Sequence, residues 1–334
     1  MTGVIDVLDM HTGGEPVRII RAGLPPVIGA TILDKRAYAR DTLDDWRRLL
    51  MFEPRGHYDM YGAWLVEPTL PGADLAVLFL HNEGYSTMCG HAVIALGRYA
   101  VDHGLVAKVE PVTRVGIECP CGLVEADVEV RDGRAGAVSF VSVPAFALAL
   151  DLGVDVRGIG RVTCDVSYGG AFYALVAAPD IGLVLGRSRV RDLVDAATAI
   201  SAAVRDAVAI VHPEHADLGF LYGTILTDGR DGAGAEPSTN VCIFADAEVD
   251  RSPTGSGVTA RLAAQAARGL LEPGQTRRIA SLTGAVFTGE IAGRTACGPH
   301  DAVRVRVGGK AHYMGEARFW READDEIGRG FLLR

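Results

Sequence analysis

The sequence predicts a mixed α/β chain made of two homologous halves, and three observations predict it. Met10–Ile20 and Val166–Val176 each run from a Gly-Gly pair into an apolar, β-prone stretch, so each reads as a strand entered through a tight turn. Ser86–Gly104 and Ser252–Gly269 each open on small or capping residues, continue as a largely apolar helix and stop at glycine. The spacing agrees: 76 residues separate Gly13 from Cys89, and 85 separate Gly169 from Thr254. An order repeated at a shared spacing marks an internal repeat. At 334 residues the chain is more than twice the ~150-residue mode of a domain, which leaves room for both copies. The expected division is 1–148 for the first half and 149–334 for the second. The boundary falls within Pro144–Gly153, and the C-terminal segment is free to cross back.

The elements follow in order. Thr42–Met51 reads as a short amphipathic helix with Thr42 as its N-cap and Asp45 three residues on. Leu75–Leu80 is a short apolar run, hence a buried strand, and it leads to the first of the two apolar helices. Arg189–Val211 is a long Ala-rich helix. Asp228–Ala235 is acidic and glycine-rich without the ligand spacing or terminal Glu of a calcium loop, so it reads as a flexible connection. Val241–Ala245 is a second buried strand, leading to the second apolar helix. Both of these helices are apolar nearly all round, which places each at the centre of its half.

Composition narrows the function classes. With 49% hydrophobic and 22% charged residues, 41 Gly and 15 Pro, the chain is globular and rich in turns rather than disordered or collagen-like. Thirty-three basic against 42 acidic residues give a net charge of −9, which argues against nucleic acid or an anionic membrane as the main partner. Six cysteines (Cys89, Cys119, Cys121, Cys164, Cys242, Cys297) in so long a chain form no disulfide scaffold, and no pair of CxxC motifs suggests zinc. The first residues lack the basic and apolar regions of a signal peptide, and no run reaches the ~18 apolar residues of a membrane span. A cytoplasmic protein with reduced thiols is the expectation.

The chemistry gathers at two helix N-termini. Cys89, among Met88, Gly90 and His91, meets backbone N–H groups and the positive end of a helix dipole, both of which favour thiolate. Thr254, in Asp250–Gly257, holds the equivalent place in the second half, where an ordinary capping Thr would also fit. Two such helix starts acting together make an anion site with several N–H donors, apt for a carboxylate.

These segments carry a family resemblance. Met88-Cys89-Gly90-His91 and Asp250-Arg251-Ser252-Pro253-Thr254-Gly255-Ser256-Gly257 resemble the two signature motifs of the proline racemase family. His11–Pro16 and Glu53–Met60 are similar to further family segments, and the likeness runs along nearly the whole chain. Racemases and epimerases of the family usually carry Cys at both helix starts, one thiol for each face of Cα. Here Thr254 stands where the second Cys is expected. This Cys/Thr pair resembles the branch that dehydrates trans-3-hydroxy-L-proline to pyrroline-2-carboxylate.

The resemblance implies a diaminopimelate epimerase-like fold, each half a curled sheet around a central helix. It implies a catalytic Cys89, with Thr254 opposite it. The substrate carboxylate would accept N–H bonds from Gly90, His91, Gly255 and Ser256, while the His91 side chain and Asp250 would contact the ring nitrogen. Asp250 also makes independent sense as the counter-charge of a secondary ammonium. No cofactor or metal is implied, the partner is a small hydroxyproline or proline, and a homodimer is what the family suggests. Because the hydroxyl and the Cα hydrogen of the substrate share a face, one thiol would serve both a syn proton removal and the departing hydroxide.

Two other readings stay open at this point: a proline or 4-hydroxyproline epimerase, and a catalytically silent imino-acid binder. Among the remaining residues, His212 and His215 read as surface histidines rather than a metal pair, and Cys119-Pro120-Cys121 as an incidental turn. His57 and Asp59 suit either a substrate contact or a structural turn, and His11 and Glu15 brace a loop.

Overall fold

The computed structural model describes residues 3–333. Strands β1 (Ile5–Thr12) and β2 (Glu15–Ala22) form a hairpin through Gly13 and Gly14, which sit at φ 65° and 93°, where a side chain would be strained. Helices α1 (Ile32–Thr42) and α2 (Asp44–Met51) follow, then β3 (Gly62–Val66), β4 (Leu75–Leu80), β5 (Tyr85–Ser86) and α3 (Gly90–Asp102). A hairpin of β6 (Val112–Cys119) and β7 (Gly122–Arg131) leads into β8 (Arg134–Val141). Next come β9 (Phe146–Val156), β10 (Gly160–Tyr168), β11 (Phe172–Ala177), α4 (Val190–Ala207) and β12 (Leu221–Thr227). β13 (Ser238–Phe244) and β14 (Glu248–Asp250) precede α5 (Gly255–Ala267). The last strands are β15 (Thr276–Ala280), β16 (Val286–Cys297), β17 (His300–Gly309) and β18 (Ala311–Phe319).

The chain divides into two compact units, Met1–Val138 with Lys310–Arg334, and Ser139–Gly309. In the first, β18, β1 and β2 pair antiparallel, β2–β3 is parallel, β3–β4 antiparallel, β4–β6 parallel and β6–β7 antiparallel. Helix α3 touches β1, β2, β6, β7 and β18, so this sheet curls around it. Every residue of α3 except Arg98 and Asp102 is buried. Full burial of Val93, Ile94 and Leu96 contributes roughly 1.5–3 kcal/mol per side chain.

The second unit repeats the plan strand for strand. β9, β10 and β11 pair antiparallel, β11–β12 is parallel, β12–β13 antiparallel, β13–β15 parallel and β15–β16 antiparallel. Its central helix α5 is touched by β9, β10, β11, β16 and β17 and is buried from Gly255 to Gln265. The last strand of the chain, β18, takes in the first unit the place that β9 takes in the second. The mixed α/β class is the one expected from the sequence, and the curled sheets are those the family resemblance implies.

Three local expectations need correction. Thr42 ends a helix instead of starting one: α1 is capped by Thr31, whose hydroxyl accepts from Asp34 N at 3.1 Å while Asp34 Oδ2 accepts from Thr31 N at 3.0 Å. That reciprocal box satisfies two end donors, and α2 begins without a side-chain cap at Leu43. Helix α4 stops at Ala207, because β-branched Val208, Ile210 and Val211 ahead of Pro213 favour extended backbone. The stretch from Asp228 is pinned: the Asp228 carboxylate accepts from Ser238 Oγ at 2.7 Å and from the N–H of Thr239 at 2.8 Å. Burial alone would raise the Asp228 pKa, yet the bonds from Thr239, Ser238 and Arg230 hold it below its ordinary value.

Candidate active site

In the first unit the site is built where β5 ends and α3 begins. Cys89 is the N-cap of α3, with φ −146° and ψ 105°, and its sulfur accepts from Ala92 N at 3.4 Å. The first i→i−4 bond of the helix runs from Val93 N to Cys89 O at 2.9 Å, so the N–H groups of Gly90 and His91 precede the helical ladder. His91 folds back on the same turn. Its Nδ1 lies 3.0 Å from Cys89 Sγ, and its Nε2 lies 3.2 Å from the carbonyl oxygen of Pro16. A carbonyl can only accept, so Nε2 carries the proton, and in the neutral ring Nδ1 presents a lone pair to the thiol. This is the arrangement in which a thiol can pass its proton to an imidazole.

The hairpin of β1 and β2 holds that turn in place. Thr12 Oγ1 donates to the His91 carbonyl at 2.9 Å, and Pro16 receives the His91 ring. The Tyr61 ring stands edge-on to the His91 ring at 4.9 Å, which fixes its plane. Cys89 and His91 are 5% and 3% exposed, in surroundings where an ionic pair is poorly screened by water. At the tip of the β6–β7 hairpin, Cys121 N donates to Thr87 O at 3.0 Å and steadies the approach to Cys89.

In the second unit, β14 delivers Asp250 to the start of α5. Asp250 Oδ1 accepts from Ser252 N at 2.7 Å and Oδ2 accepts from Thr254 Oγ1 at 2.7 Å. Thr254 caps nothing with its side chain, unlike an ordinary N-cap Thr, and it sits at φ 62°, ψ 92°. Left-handed backbone on a β-branched residue costs about 1–3 kcal/mol and persists only where its surroundings over-determine it. Ser256 Oγ shares a 2.7 Å hydrogen bond with Tyr173 OH of β11. A Cβ on Gly169 would lie 2.2 Å from the Ser256 carbonyl oxygen, which explains why this turn is a glycine.

The structure thus gathers Cys89, Gly90 and His91 in one unit, and Asp250, Thr254, Gly255 and Ser256 in the other. Sequence reading missed Thr12, Pro16, Tyr61 and Tyr173 as supports. Thr12, Pro16 and Tyr173 lie in the segments already singled out by their Gly-Gly pairs.

The weaker candidates find other roles. Asp59, at φ 69°, donates its backbone N–H to Asn82 Oδ1 at 2.7 Å, and His57 Nδ1 meets Tyr58 O, as in a structural turn. His11 braces the Gly-Gly turn, its Nδ1 accepting from Gly14 N at 3.3 Å while its ring stacks on His312 at 5.2 Å, and Glu15 is buried. His212 is buried, not on the surface: its ring packs 4.8 Å from Tyr168, and its Nδ1 accepts from the N–H groups of Glu214 and His215. No group of metal-ligating side chains occurs among the described residues. Burial, followed by the neighbouring Cys121 thiol, pushes Cys119 well above the ordinary thiol range, which makes it inert.

Comparison with known proteins agrees along the full chain. The model of the proline racemase family matches residues 7–332. The trans-3-hydroxy-L-proline dehydratase of Homo sapiens is 59% identical over 338 aligned positions, covering 100% of this chain and 96% of the human protein. The enzyme of that name from Burkholderia cenocepacia (strain HI2424) is 45% identical, covering 99% of this chain and 98% of its own. Among solved structures, a hydroxyproline epimerase from Agrobacterium vitis with bound trans-4-hydroxy-L-proline superposes with a TM-score of 0.94 at 28% identity, covering 100% and 96% of the two chains. A probable proline racemase from Agrobacterium radiobacter K84 does so with 0.92 at 30% identity, covering 98% and 96%.

Proposed function

As the chain belongs to the proline racemase family, we propose that it dehydrates trans-3-hydroxy-L-proline. It is a hydro-lyase. The Cα–H and C3–O bonds break, a C2=C3 enamine forms, and this tautomerises to pyrroline-2-carboxylate while the abstracted proton leaves with hydroxide as water. The observation that carries the reading is the asymmetry of the two helix starts. One presents a thiol 3.0 Å from an imidazole nitrogen, and the other a hydroxyl bound to a carboxylate. A Thr hydroxyl is far too weak an acid to work as the second thiol of a racemase.

In this assignment Cys89 is the acid–base group. His91 Nδ1 takes the thiol proton, so Cys89 as thiolate removes the Cα proton from one face of the ring. The trans hydroxyl lies on that same face, so the protonated sulfur then delivers its proton to the departing oxygen. Thr254 lies across Cα and positions Asp250, whose carboxylate meets the ring ammonium. The N–H groups of Gly90, His91, Gly255 and Ser256 receive the substrate carboxylate. The resemblance also implies a contact between the His91 side chain and the ring nitrogen, made while the imidazole is neutral and can accept from the ammonium.

Incubation with the isomers of proline and hydroxyproline tests the reading. Pyrroline carboxylate should form from trans-3-hydroxy-L-proline alone. Deuterium uptake into recovered 4-hydroxyproline or proline without water loss would overturn it in favour of an epimerase. Cys89→Ser should abolish turnover with binding kept, and appreciable dehydration by that variant would remove Cys89 from the mechanism. The six free cysteines suit a reducing compartment, and we extend the proposal to a cytoplasmic homodimer. Sedimentation velocity checks the assembly.

A further inference from the structure

We propose that Asn240 and Arg261 are positioning residues for the dehydration, acting as a clamp that holds Thr254 in its left-handed conformation. Arg261 lies two turns into α5 and is 4% exposed, an expensive place for a guanidinium. Its Nη1 donates to Asn240 Oδ1 at 3.0 Å, and its Nη2 to Ser238 Oγ and Arg230 O, both at 2.9 Å. A guanidinium only donates, so it dictates which way the Asn240 amide faces. Oδ1 turns to Arg261, and Nδ2 is left to donate to the Pro253 carbonyl at 3.1 Å.

That carbonyl belongs to the peptide group whose nitrogen is Thr254 N. The same N–H donates to Ser252 Oγ at 3.0 Å, so both polar atoms of the Pro253–Thr254 peptide are held. With the Thr254 hydroxyl held on Asp250, the torsion at φ 62° is fixed from both sides. Asn240 is fully buried on β13, and neither it nor Arg261 belongs to the proposed substrate-binding set. Any loss on altering them is therefore transmitted through Thr254 and Asp250. This inference rests on Thr254 and Asp250 lying beside the substrate.

Asn240→Asp is the discriminating variant, because it keeps the shape and the Arg261 contact but sets an acceptor against the Pro253 carbonyl. Turnover, thermal melting and backbone hydrogen exchange are measured on the same preparations. The clamp predicts a kcat lower by at least about tenfold, as displacement of a reacting group by ~1 Å can cost a hundredfold. It also predicts a KM within about threefold, and faster exchange over residues 250–256 with β12 and β13 unchanged. Glycine adopts φ 62° without strain, so adding Asn240→Asp to Thr254→Gly should lower kcat less than about twofold further.

An unchanged kcat, unchanged exchange over 250–256, or full multiplication of the two effects would overturn the clamp. Should Asn240→Asp fail to fold, Ser252→Ala loosens the same peptide from its other side and must give the same signature. If the wild-type chain forms no pyrroline carboxylate, the dehydratase reading fails, while the exchange measurement still decides whether Asn240 holds Thr254.

Discussion

Cys89 and Thr254 open equivalent helices yet commit their heteroatoms differently, and this difference makes Thr254→Cys informative. The thiol at 89 caps its own helix and meets an imidazole, whereas the hydroxyl at 254 turns away from its helix to the Asp250 carboxylate. A thiol at 254 would sit at a helix N-terminus that favours thiolate, but beside a carboxylate that opposes it. If the proposed site is right, weak but measurable Cα exchange of proline in deuterated water is expected, absent from the parent, because in that site acid and base would then stand on opposite faces. A folded, proline-binding variant with no exchange above the parent would count against that placement of Thr254.

At the scale of elements, caps and close approaches decide what each helix tolerates. Thr31→Ala removes one side of the α1 capping box and should cost about 1 kcal/mol, read as a lower urea midpoint at unchanged slope. Turnover should not change, since the loss falls on the first turn of α1, away from Arg36 and Ala39, whose bonds to Tyr85 join α1 to β5. Gly169→Ala should behave oppositely. Its methyl would press on the Ser256 carbonyl, which lies in the first turn of α5, so activity should fall along with stability. A Gly169→Ala protein with wild-type turnover would show that this turn does not position the α5 start.

For the whole molecule, pH acts through two histidine rings, His212 in the core of the second unit and His312 on the exposed side of β18, stacked on His11. Burial, and then His215, lowers the His212 pKa; burial, and then His11, lowers that of His312. The folded chain therefore favours the neutral rings, while the unfolded chain binds protons with a pKa of about 6.5. Stability from these two groups is present above about pH 6.5 and is lost as pH falls through the folded values. The melting temperature should drop between about pH 7.5 and 5.5. His212→Asn, which keeps an acceptor for the Glu214 and His215 N–H groups, should make that drop shallower. An identical pH profile would exclude His212 as a contributor.

What the sequence determined by itself was local or repeated. The Gly-Gly strands and the two apolar helices with Cys89 and Thr254 at their starts follow from glycine, capping and apolar periodicity, which act over a few residues, whereas Asp250 stood out only through the family resemblance. The similar spacing of the two sets, 76 and 85 residues, made the duplication visible without any knowledge of contacts. The α1 helix was hidden because it buries Lys35 beside Ile32 and Ala39, so no apolar stripe marks it. Only the tertiary structure decided that Thr12 would support His91, 79 residues away, that Pro16 would orient its ring, and that Tyr173 would meet Ser256 across 83 residues. It also took His212 into the core and set Asn240 between Arg261 and Pro253. Such pairings depend on which strands become neighbours and in what register, a property of the assembled sheets that no short stretch of sequence contains.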